Sequence, residues 1–484
     1  MNEERLKSIV QDLKNPRPFI RNKAIESLMS INEAGVIPAL FKMVAKETDF
    51  VKVQFCRFLA KIKGDSAIPP LIIFLVEKSD AVAREAAYSL DEIESERKNN
   101  AFMLLLRRKV SHFSRVFAIK SLGQERVNRA VPHLIDLLGS QEEDIKELSI
   151  EALRQIGDPA AIHALLKVLS EDNDRAVYLT ILTLGEIGEP KTAENIFPFL
   201  QHKNENVRRA TVWALTKLNY KRAASKLIAL LKSDPSELVR EEIAKRLGKV
   251  AGVEAVKPLI FSKAFDQAHN VKIYAGWALR DIPVKERESI LSKLVHQKDE
   301  ALRGQVLLEI GRTGDNRFFK ILKNALKKDK SEYVRACAAE GLSFINHTQV
   351  KQLLREALAD DEAVSRRSAD SLFRFAGPED TELALDILKG SLNQDPYTRS
   401  IGAKIIEKIY LEEEIPENIL KELYSLVEAQ EEVVQRAIIK ALGKVGDKST
   451  ISFLKEFQKS KSNDELISEI VKAIDSIERK NISQ

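Results

Sequence analysis

Residues 145–169, IKELSIEALRQIGDPAAIHALLKVL, carry the pattern that decides the fold of this chain of 484 residues. An amphipathic helix runs to the neighbourhood of Leu153, and the Gly-Asp-Pro turn at 157–159 follows it. Glycine favours the end of a helix, and aspartate and proline favour the start of the next one. A shorter apolar segment then begins at Ile162. The stretch therefore predicts two helices joined by a tight turn.

The same pattern recurs along the whole chain. A leucine or isoleucine near the end of each first helix, which we call the landmark residue, returns every 31 or 32 residues over the first ten steps and then after 30, 34 and 36. The landmarks are Leu28, Leu59, Leu90, Leu122, Leu153, Leu184, Leu215, Leu247, Leu279, Ile310, Leu342, Leu372, Ile406 and Leu442. A helix pair cannot bury its apolar face alone, so neighbouring pairs must stack. The sequence predicts an all-α solenoid of about fourteen helix pairs.

The predicted solenoid is continuous. No linker rich in serine, glycine or proline interrupts the repeat, so we expect one array over residues 1–484. Within it, residues 1–15 are predicted to form an N-terminal cap helix, and residues 464–484 a C-terminal cap helix and tail.

Composition limits the function classes. Hydrophobic residues make up 44% of the chain and charged residues 31%, which excludes a disordered protein. The 77 basic and 72 acidic residues give a net charge of only +5, too small to imply nucleic acid by itself. Two cysteines, Cys56 and Cys337, are too few for a disulfide framework. With no secretion signal and no membrane span in the sequence, we expect a soluble cytoplasmic protein.

The segment 207–215 (VRRATVWAL), with the Gly-Asp-Pro turn and the IPAL sequence at 37–40, resembles the HEAT-like repeats first described in phycobilisome lyases. Such repeats are widespread in bacterial scaffold proteins, and the resemblance covers nearly the whole chain. It implies a curved superhelix with first helices on the convex side. It also implies a non-enzymatic scaffold or adaptor that binds a macromolecular partner. A bilin lyase or chaperone-like subunit is an alternative that the resemblance permits.

Motifs for catalysis or metal binding are not found. None of the seven histidines pairs with another at i+4, and none is followed by glutamate, so a zinc-protease helix is missing. The His-Glu pairs of the HEAT-type deoxyhypusine hydroxylases and the phosphate-binding loop of nucleotidases are missing too. We therefore predict no catalytic residue, no metal ligand and no cofactor, and the chain is not expected to be an enzyme.

Cations recur seven residues before most landmarks, as at Arg208 and Arg335, and a carboxylate precedes each by two or three residues, as at Glu205 and Glu332. This spacing favours a structural ladder of ion pairs between repeats over a nucleic-acid track. Cations clearly outnumber acids in the segment 203–257. Its candidate anion-binding residues are Lys217, Lys221, Arg222 and Lys226. An aromatic cluster on the second helices is missing there, so nucleic-acid binding remains an alternative that we do not expect.

The register two residues before the landmark departs from its usual charged character in several repeats. Two residues before the landmark the side chain is charged in most repeats, and it should therefore face water. Between residues 176 and 311, however, four of five repeats have a large apolar residue there. The candidate partner-binding residues are Leu182, Trp213, Trp277 and Leu308, with Tyr178 and Tyr274 one helical turn earlier, and Tyr88 occupies the same register upstream. Exposed aromatic groups are typical of interfaces, and Trp213 could stack on Arg209. We predict a protein partner or a second copy of the chain; alternatively, these side chains seal gaps between first helices.

Overall fold

The computed structural model describes residues 3–29, 36–62 and 64–483. This part of the chain consists of α-helices and short 3₁₀ turns and contains no strand. Its contacts divide the chain into two compact units, Met1–Val250 and Ala251–Gln484. No helix in the described part is long and apolar enough to span a membrane. The predicted all-α class is confirmed.

The first unit is built from helix pairs preceded by one further helix. Its helices are α1 (Glu3–Leu13), α2 (Pro18–Met29), α3 (Val36–Val44), α4 (Asp49–Ile62), α5 (Ile68–Leu75), α6 (Asp80–Asp91), α7 (Glu96–Arg107), α8 (His112–Gln124), α9 (Val131–Leu137), α10 (Glu143–Ile156), α11 (Ile162–Val168), α12 (Asp174–Ile187), α13 (Ala193–Ile196), α14 (Glu205–Lys217), α15 (Ala224–Ser233) and α16 (Glu237–Ala251).

The second unit continues the alternation and ends with a long single helix. Its helices are α17 (Val256–Phe265), α18 (His269–Asp281), α19 (Val284–Leu294), α20 (Glu300–Gly311), α21 (Phe319–Lys328), α22 (Glu332–Leu342), α23 (Val350–Glu356), α24 (Glu362–Phe375), α25 (Thr381–Lys389), α26 (Pro396–Ile409), α27 (Glu417–Ala429), α28 (Glu432–Val445), α29 (Lys448–Lys459) and α30 (Asp464–Ser483).

The landmark residues form the core, as predicted. All fourteen lie in the even-numbered helices, α2 to α28, and every one of them is buried, with at most 3% of its surface exposed. The even-numbered helices are therefore the first helices of the pairs, and the odd-numbered helices that follow them are the second. Each unit therefore has the helix-pair architecture of a HEAT-like α-solenoid.

The two ends of the array fall where single helices were expected. Helix α1 occupies the range predicted for the N-terminal cap, and α30 that of the C-terminal cap. Residues 1, 2 and 484 of those ranges lie outside the described residues. The single continuous solenoid over residues 1–484 remains a prediction.

The Gly-Asp-Pro turn forms for the predicted reasons. Gly157 ends α10 in the left-handed region, with φ of 74°, which glycine adopts without strain. The carboxylate of Asp158 then accepts a hydrogen bond from the amide of Ala160 at 2.8 Å. One detail differs from the expectation, because a 3₁₀ turn at Pro159–Ala161 precedes α11.

Some neighbouring first helices approach each other closely where both have small residues. A Cβ atom added to Gly185 of α12 would lie 3.1 Å from the Cα atom of Ala214 in α14. In the second unit, a Cβ atom on Gly311 of α20 would lie only 2.4 Å from the Cα atom of Gly341 in α22. A larger residue at Gly311 would force the backbones apart, so this glycine sets the spacing of the two helices.

Candidate partner-binding surfaces

The recurrent cations form structural ion pairs. The guanidinium of Arg208 donates two hydrogen bonds of 2.8 Å to the carboxylate of Asp234, and its third nitrogen donates to the backbone carbonyl of His202 at 2.9 Å. Arg303 makes the same bidentate contact with Asp329, at 3.1 and 2.9 Å. Each arginine thereby ties the end of its second helix to the turn before its own first helix.

The ladder continues from pair to pair. While the carboxylate of Asp329 accepts from Arg303, its backbone carbonyl accepts a hydrogen bond from Arg335 at 3.0 Å, and Arg335 in turn pairs with Asp360. The structural interpretation of these cations is confirmed. The predicted partner carboxylates, two or three residues before each cation, are wrong: the acids used lie 25 or 26 residues later, at the end of the second helix.

The candidate anion-binding residues are partly neutralised. Lys217 forms an ion pair with Glu186, and Arg222 pairs with Glu194 at 2.8 Å. Lys221 is exposed and Lys226 is half-buried. The cations of this segment therefore do not form one unpaired basic face, which is what a phosphate track would need.

In the first unit, the apolar register is only half open. Tyr178, Leu182 and Trp213 are all half-buried. The ring of Trp213 lies against Gly185, where an added Cβ would meet it at 2.6 Å, and it stacks under Lys217, whose Nζ is 4.9 Å from the ring centre. The ammonium of Lys217 takes the position that we predicted for Arg209. Trp213 thus covers the contact between α12 and α14, as the gap-sealing interpretation expects.

The register is exposed in α18. Trp277 is 53% exposed, and half-buried Tyr274 meets it edge to face, with the ring centres 5.1 Å apart. In the first unit, Tyr88 is 70% exposed at the same register. Leu308 is the exception: with 7% exposure it is buried, so the expectation that it faces water is wrong.

Leu308 lies at the wall of a groove of about 520 Å³, and the helices that form this groove bury it. The groove crosses first helices α20 to α26, and the side chains of Tyr333 and Cys337 from α22 line it beside Leu308. Tyr333 reaches this position because Gly304 has no side chain to block it: an added Cβ would lie 2.5 Å from its ring. The close approach of α22 to α20 therefore covers Leu308.

The groove was not predicted from the sequence, although a signal existed. Tyr333 and Tyr397 both lie nine residues before their landmarks, and both are 39% exposed. The hydroxyl of Tyr397 donates to Asp370 at 3.0 Å, and that of Tyr333 accepts from Gln305 at 2.9 Å. These polar side chains at the edges of the groove therefore already form hydrogen bonds with each other.

Neither cysteine is suited to nucleophilic chemistry. Burial raises the pKa of the Cys337 thiol to about 11, against a smaller lowering by the hydrogen bond to Tyr333. Burial, and then the charges of Glu85 and Glu77, raise the pKa of Cys56 as well. Because the thiolate is the reactive form, both thiols are inert at neutral pH.

An acidic cavity of about 720 Å³ lies between α6, α7 and α8 in the first unit. Asp91, Glu94, Glu96 and Glu125 line it. The charge of Glu125 is matched by Lys98, which is almost fully buried and lies 2.6 Å from it, and which also donates to the carbonyl of Leu90 at 3.2 Å. Lys98 is thus a buried cation with its partners in place.

His112, Glu142 and Asp144 bring three potential metal ligands within 4.8 Å of one another, all exposed. The Nδ1 atom of His112 lies 3.0 Å from Glu142 and its Nε2 atom 2.7 Å from Asp144. The two carboxylates therefore engage opposite nitrogens of one ring. A single ion can bind only one of these nitrogens, so the three groups do not converge as metal ligands do.

Known structures share this architecture. A complex of Kap95p concerned with the switch loops of RanGDP is 13% identical, with 99% of this chain and 72% of that chain covered and a TM-score of 0.50. Yeast importin-β (Kap95p) is 11% identical over 99% and 73%, with a TM-score of 0.39. The CpcE–CpcF complex of phycocyanin lyase from Nostoc is 17% identical over 57% and 94%, with a TM-score of 0.30. At such identities these likenesses concern the fold alone.

A search of curated protein sequences found no match. The family model for HEAT repeats, in contrast, matches along most of the chain. The matched segments are residues 6–91, 99–178, 177–248, 253–343, 288–372, 320–404 and 381–475. Together with the buried landmarks and the Arg–Asp ladder, this match shows that the chain belongs to the HEAT-repeat proteins.

Proposed function

We propose that the chain is a non-enzymatic interaction scaffold that binds a protein partner through the surface of α18 around Trp277. The observation that carries the proposal is the 53% exposure of Trp277 at a register that other repeats fill with charge. Tryptophan and tyrosine supply most of the binding energy at many protein interfaces. A solvated indole of this size has no evident role in the fold of its own unit.

The surroundings of Trp277 suit a protein partner. Tyr274 supports one edge of the indole, and Ile273 lies one helical turn away on the same face of α18. Arg280 and Asp281 are exposed at the end of the helix. An aromatic centre with a charged rim of both signs is the usual composition of a protein-binding patch.

Two other functions lack such support. The basic segment 203–257 pairs Lys217, Arg208 and Arg222 with acids, which leaves little charge for a nucleic-acid backbone. For a bilin lyase or chaperone-like activity, the two cysteines, Cys56 and Cys337, offer no reactive thiol. The proposal of a scaffold therefore rests on the exposed aromatic surface and not on a likeness to any particular protein.

The experiment compares proteins captured from the source cells by the wild-type chain, by Trp277→Ala and by Tyr88→Ala. Tyr88 is the matched control, since it is an exposed aromatic residue at the same register in the other unit. We expect a partner that Trp277→Ala loses and Tyr88→Ala retains. Truncation of an interface anchor costs about 2 kcal/mol or more, or roughly 30-fold in affinity, which the purified partner should then show.

Identical capture by the wild-type chain and Trp277→Ala would contradict the proposal. If the partner is a second copy of the chain, light scattering should give a larger mass for the wild-type chain than for Trp277→Ala at the same concentration.

A further inference from the structure

Three charged residues of the second unit occupy core registers. Lys263 lies sixteen residues after its landmark, where most repeats have leucine. Leucine occupies that register at Leu75, Leu106, Leu138, Leu169, Leu200, Leu231, Leu326, Leu358 and Leu388, valine at Val44 and Val295, and a polar residue at Glu422 and Gln458. Arg287 lies eight residues after its landmark, a position that is a buried alanine in five repeats. Glu309 directly precedes its landmark and is 1% exposed.

These residues come from neighbouring helices and meet around one carboxylate. The ammonium of Lys263 in α17 forms an ion pair with Glu309 of α20, and Arg312 donates to the same carboxylate oxygen at 2.9 Å. Glu309 is also the charge that acts most strongly on Arg287 of α19. Lys263 and Arg312 therefore share one carboxylate, and Arg287 lies within range of its charge without contacting it.

Arg287 is the residue without a partner. The residue is 5% exposed, its Nε atom is fully enclosed, and no hydrogen bond or ion pair is found for its side chain in the described part of the chain. Burial lowers the pKa of Arg287, although a guanidinium stays charged at neutral pH. A buried charge with no counter-charge is costly, so such a group is rarely left unmatched.

Lys98 is a buried cation in another repeat whose charge is matched within the chain. It occupies the same register as Arg287, eight residues after the landmark Leu90. There, Glu125 and the carbonyl of Leu90 satisfy the ammonium. Among the described residues of the second unit, the carboxylate whose charge acts on Arg287 is Glu309, which Lys263 and Arg312 already share. The difference points to a counter-charge that does not belong to the chain.

Helix α20, which contains Glu309, packs differently against the helices on its two sides. Helix α22 lies along α20 with the glycine contact of Gly311 and Gly341, whereas α20 lies against α17 and α19 on its other side and makes no comparable contact with α18. The side chain of Lys263 extends across Gly276 of α18, 3.6 Å from where a Cβ atom would be. Arg312 is 30% exposed and connects the cluster with solvent.

We infer that Lys263, Arg287 and Arg312 form a binding site for a phosphate-class oxyanion beside Glu309. Three cations and one carboxylate leave a net charge of +2, which a phosphate dianion matches. The planar guanidinium of Arg287 presents paired N–H donors to two oxygens of such a group, and burial strengthens those bonds. The inference goes beyond the proposed function, and neither proposal depends on the other.

The test uses the full chain and inorganic phosphate, with sodium chloride at equal ionic strength as the reference. Calorimetry and thermal unfolding are measured for the wild-type chain, Arg287→Met and Arg317→Gln. Arg317 is the matched control, an exposed arginine of the same unit paired with Asp315 and Glu288. We expect phosphate to bind and to raise the Tm of the wild-type chain and of Arg317→Gln. Arg287→Met should bind phosphate about 10- to 100-fold more weakly, since it loses charge-assisted hydrogen bonds.

Two further results separate a binding site from a structural role. Without phosphate, Arg287→Met should melt no lower than the wild-type chain, because it removes an unmatched buried charge. Glu309→Gln, which raises the net charge of the site, should bind phosphate more tightly. This second variant keeps the inference testable if Arg287→Met fails to fold.

The inference is overturned if phosphate does not raise the wild-type Tm above the chloride reference. It is equally overturned if Arg287→Met and the wild-type chain bind phosphate alike, or if Glu309→Gln binds it more weakly. A parallel titration with phosphoserine identifies the source of the group. Competition with inorganic phosphate would mean that a phosphate monoester fits, and binding of inorganic phosphate alone would assign the site to the free ion.

Discussion

Asp395 illustrates how a single ion pair between neighbouring repeats responds to pH. Its carboxylate accepts two hydrogen bonds from Arg366, at 3.0 and 2.7 Å, and one from the amide of Thr398 at 2.8 Å, which caps α26. The contact with Arg366 lowers the pKa of Asp395 to about 2. The folded pKa is depressed, so the ionised carboxylate contributes stability above pH ~4, and this contribution is lost as the pH falls towards 2.

Asp395→Asn cannot titrate and keeps the capping oxygen. We expect it to be less stable than the wild-type chain at pH 7 and to close that difference between pH 4 and pH 2, as measured by urea unfolding. Asp172→Asn is the control, because the Asp172 side chain is almost fully exposed. A difference between Asp395→Asn and the wild-type chain that stays constant over this range would contradict the assignment.

The sequence predicts the burial of a single side chain only where its register is buried, or exposed, in every repeat. The landmark positions were correct because the landmark register is apolar and buried in every repeat. The expectation for Leu308 was wrong because its burial depends on how closely α22 of the next repeat packs against α20, where Tyr333 lies against Gly304. Lys263, Arg287 and Glu309 were overlooked because the comparison of repeats considered exposed registers.

At the scale of helices, glycine sets how closely two first helices approach. Gly311→Ala would place its Cβ atom 2.4 Å from the backbone of Gly341, whereas Gly276→Ala would meet only the flexible side chain of Lys263, at 3.6 Å. Overpacking of a close contact costs about 1–3 kcal/mol. Alanine in a helix otherwise gains up to about 1 kcal/mol over glycine.

We therefore expect Gly311→Ala to lower the free energy of unfolding and Gly276→Ala to leave it unchanged or raise it. Both glycines lie in first helices of the second unit, so each serves as the control for the other, and chemical denaturation measures the difference. Equal effects of the two substitutions would mean that α20 and α22 are not held by this contact.

Helix positions were more predictable than helix contacts. The 31-residue period locates α10 and α11 because hydrophobic spacing and the turn at 157–159 are local signals. The ladder was expected from the spacing of Arg208, but its acid was misplaced, since Asp234 comes from the far end of the second helix. Pairing across 26 residues depends on how helices stack, which a local pattern does not encode.

At the scale of the whole molecule, exposed aromatic residues depart from the charged pattern of this register at Trp277 in α18 and at Tyr88 in α6. Fourteen equivalent helix pairs provide the framework, and most of their exposed registers are charged. The α18 surface interrupts this regularity with Tyr274 and Trp277, while the corresponding residues of the first unit, Leu182 and Trp213, are half-buried. The predicted partner-binding set therefore divides into residues that cover helix contacts and residues that remain open.

Tryptophan fluorescence of the isolated chain tests this division most directly, because Trp213 and Trp277 are its only tryptophans. Trp213→Phe leaves Trp277 as the emitter, and Trp277→Phe leaves Trp213. We predict that Trp213→Phe emits at longer wavelength, close to tryptophan in water, and is strongly quenched by iodide. Trp277→Phe should emit at shorter wavelength and resist quenching. A blue-shifted, unquenchable spectrum from Trp213→Phe would show that Trp277 is covered and would contradict the proposed partner-binding surface.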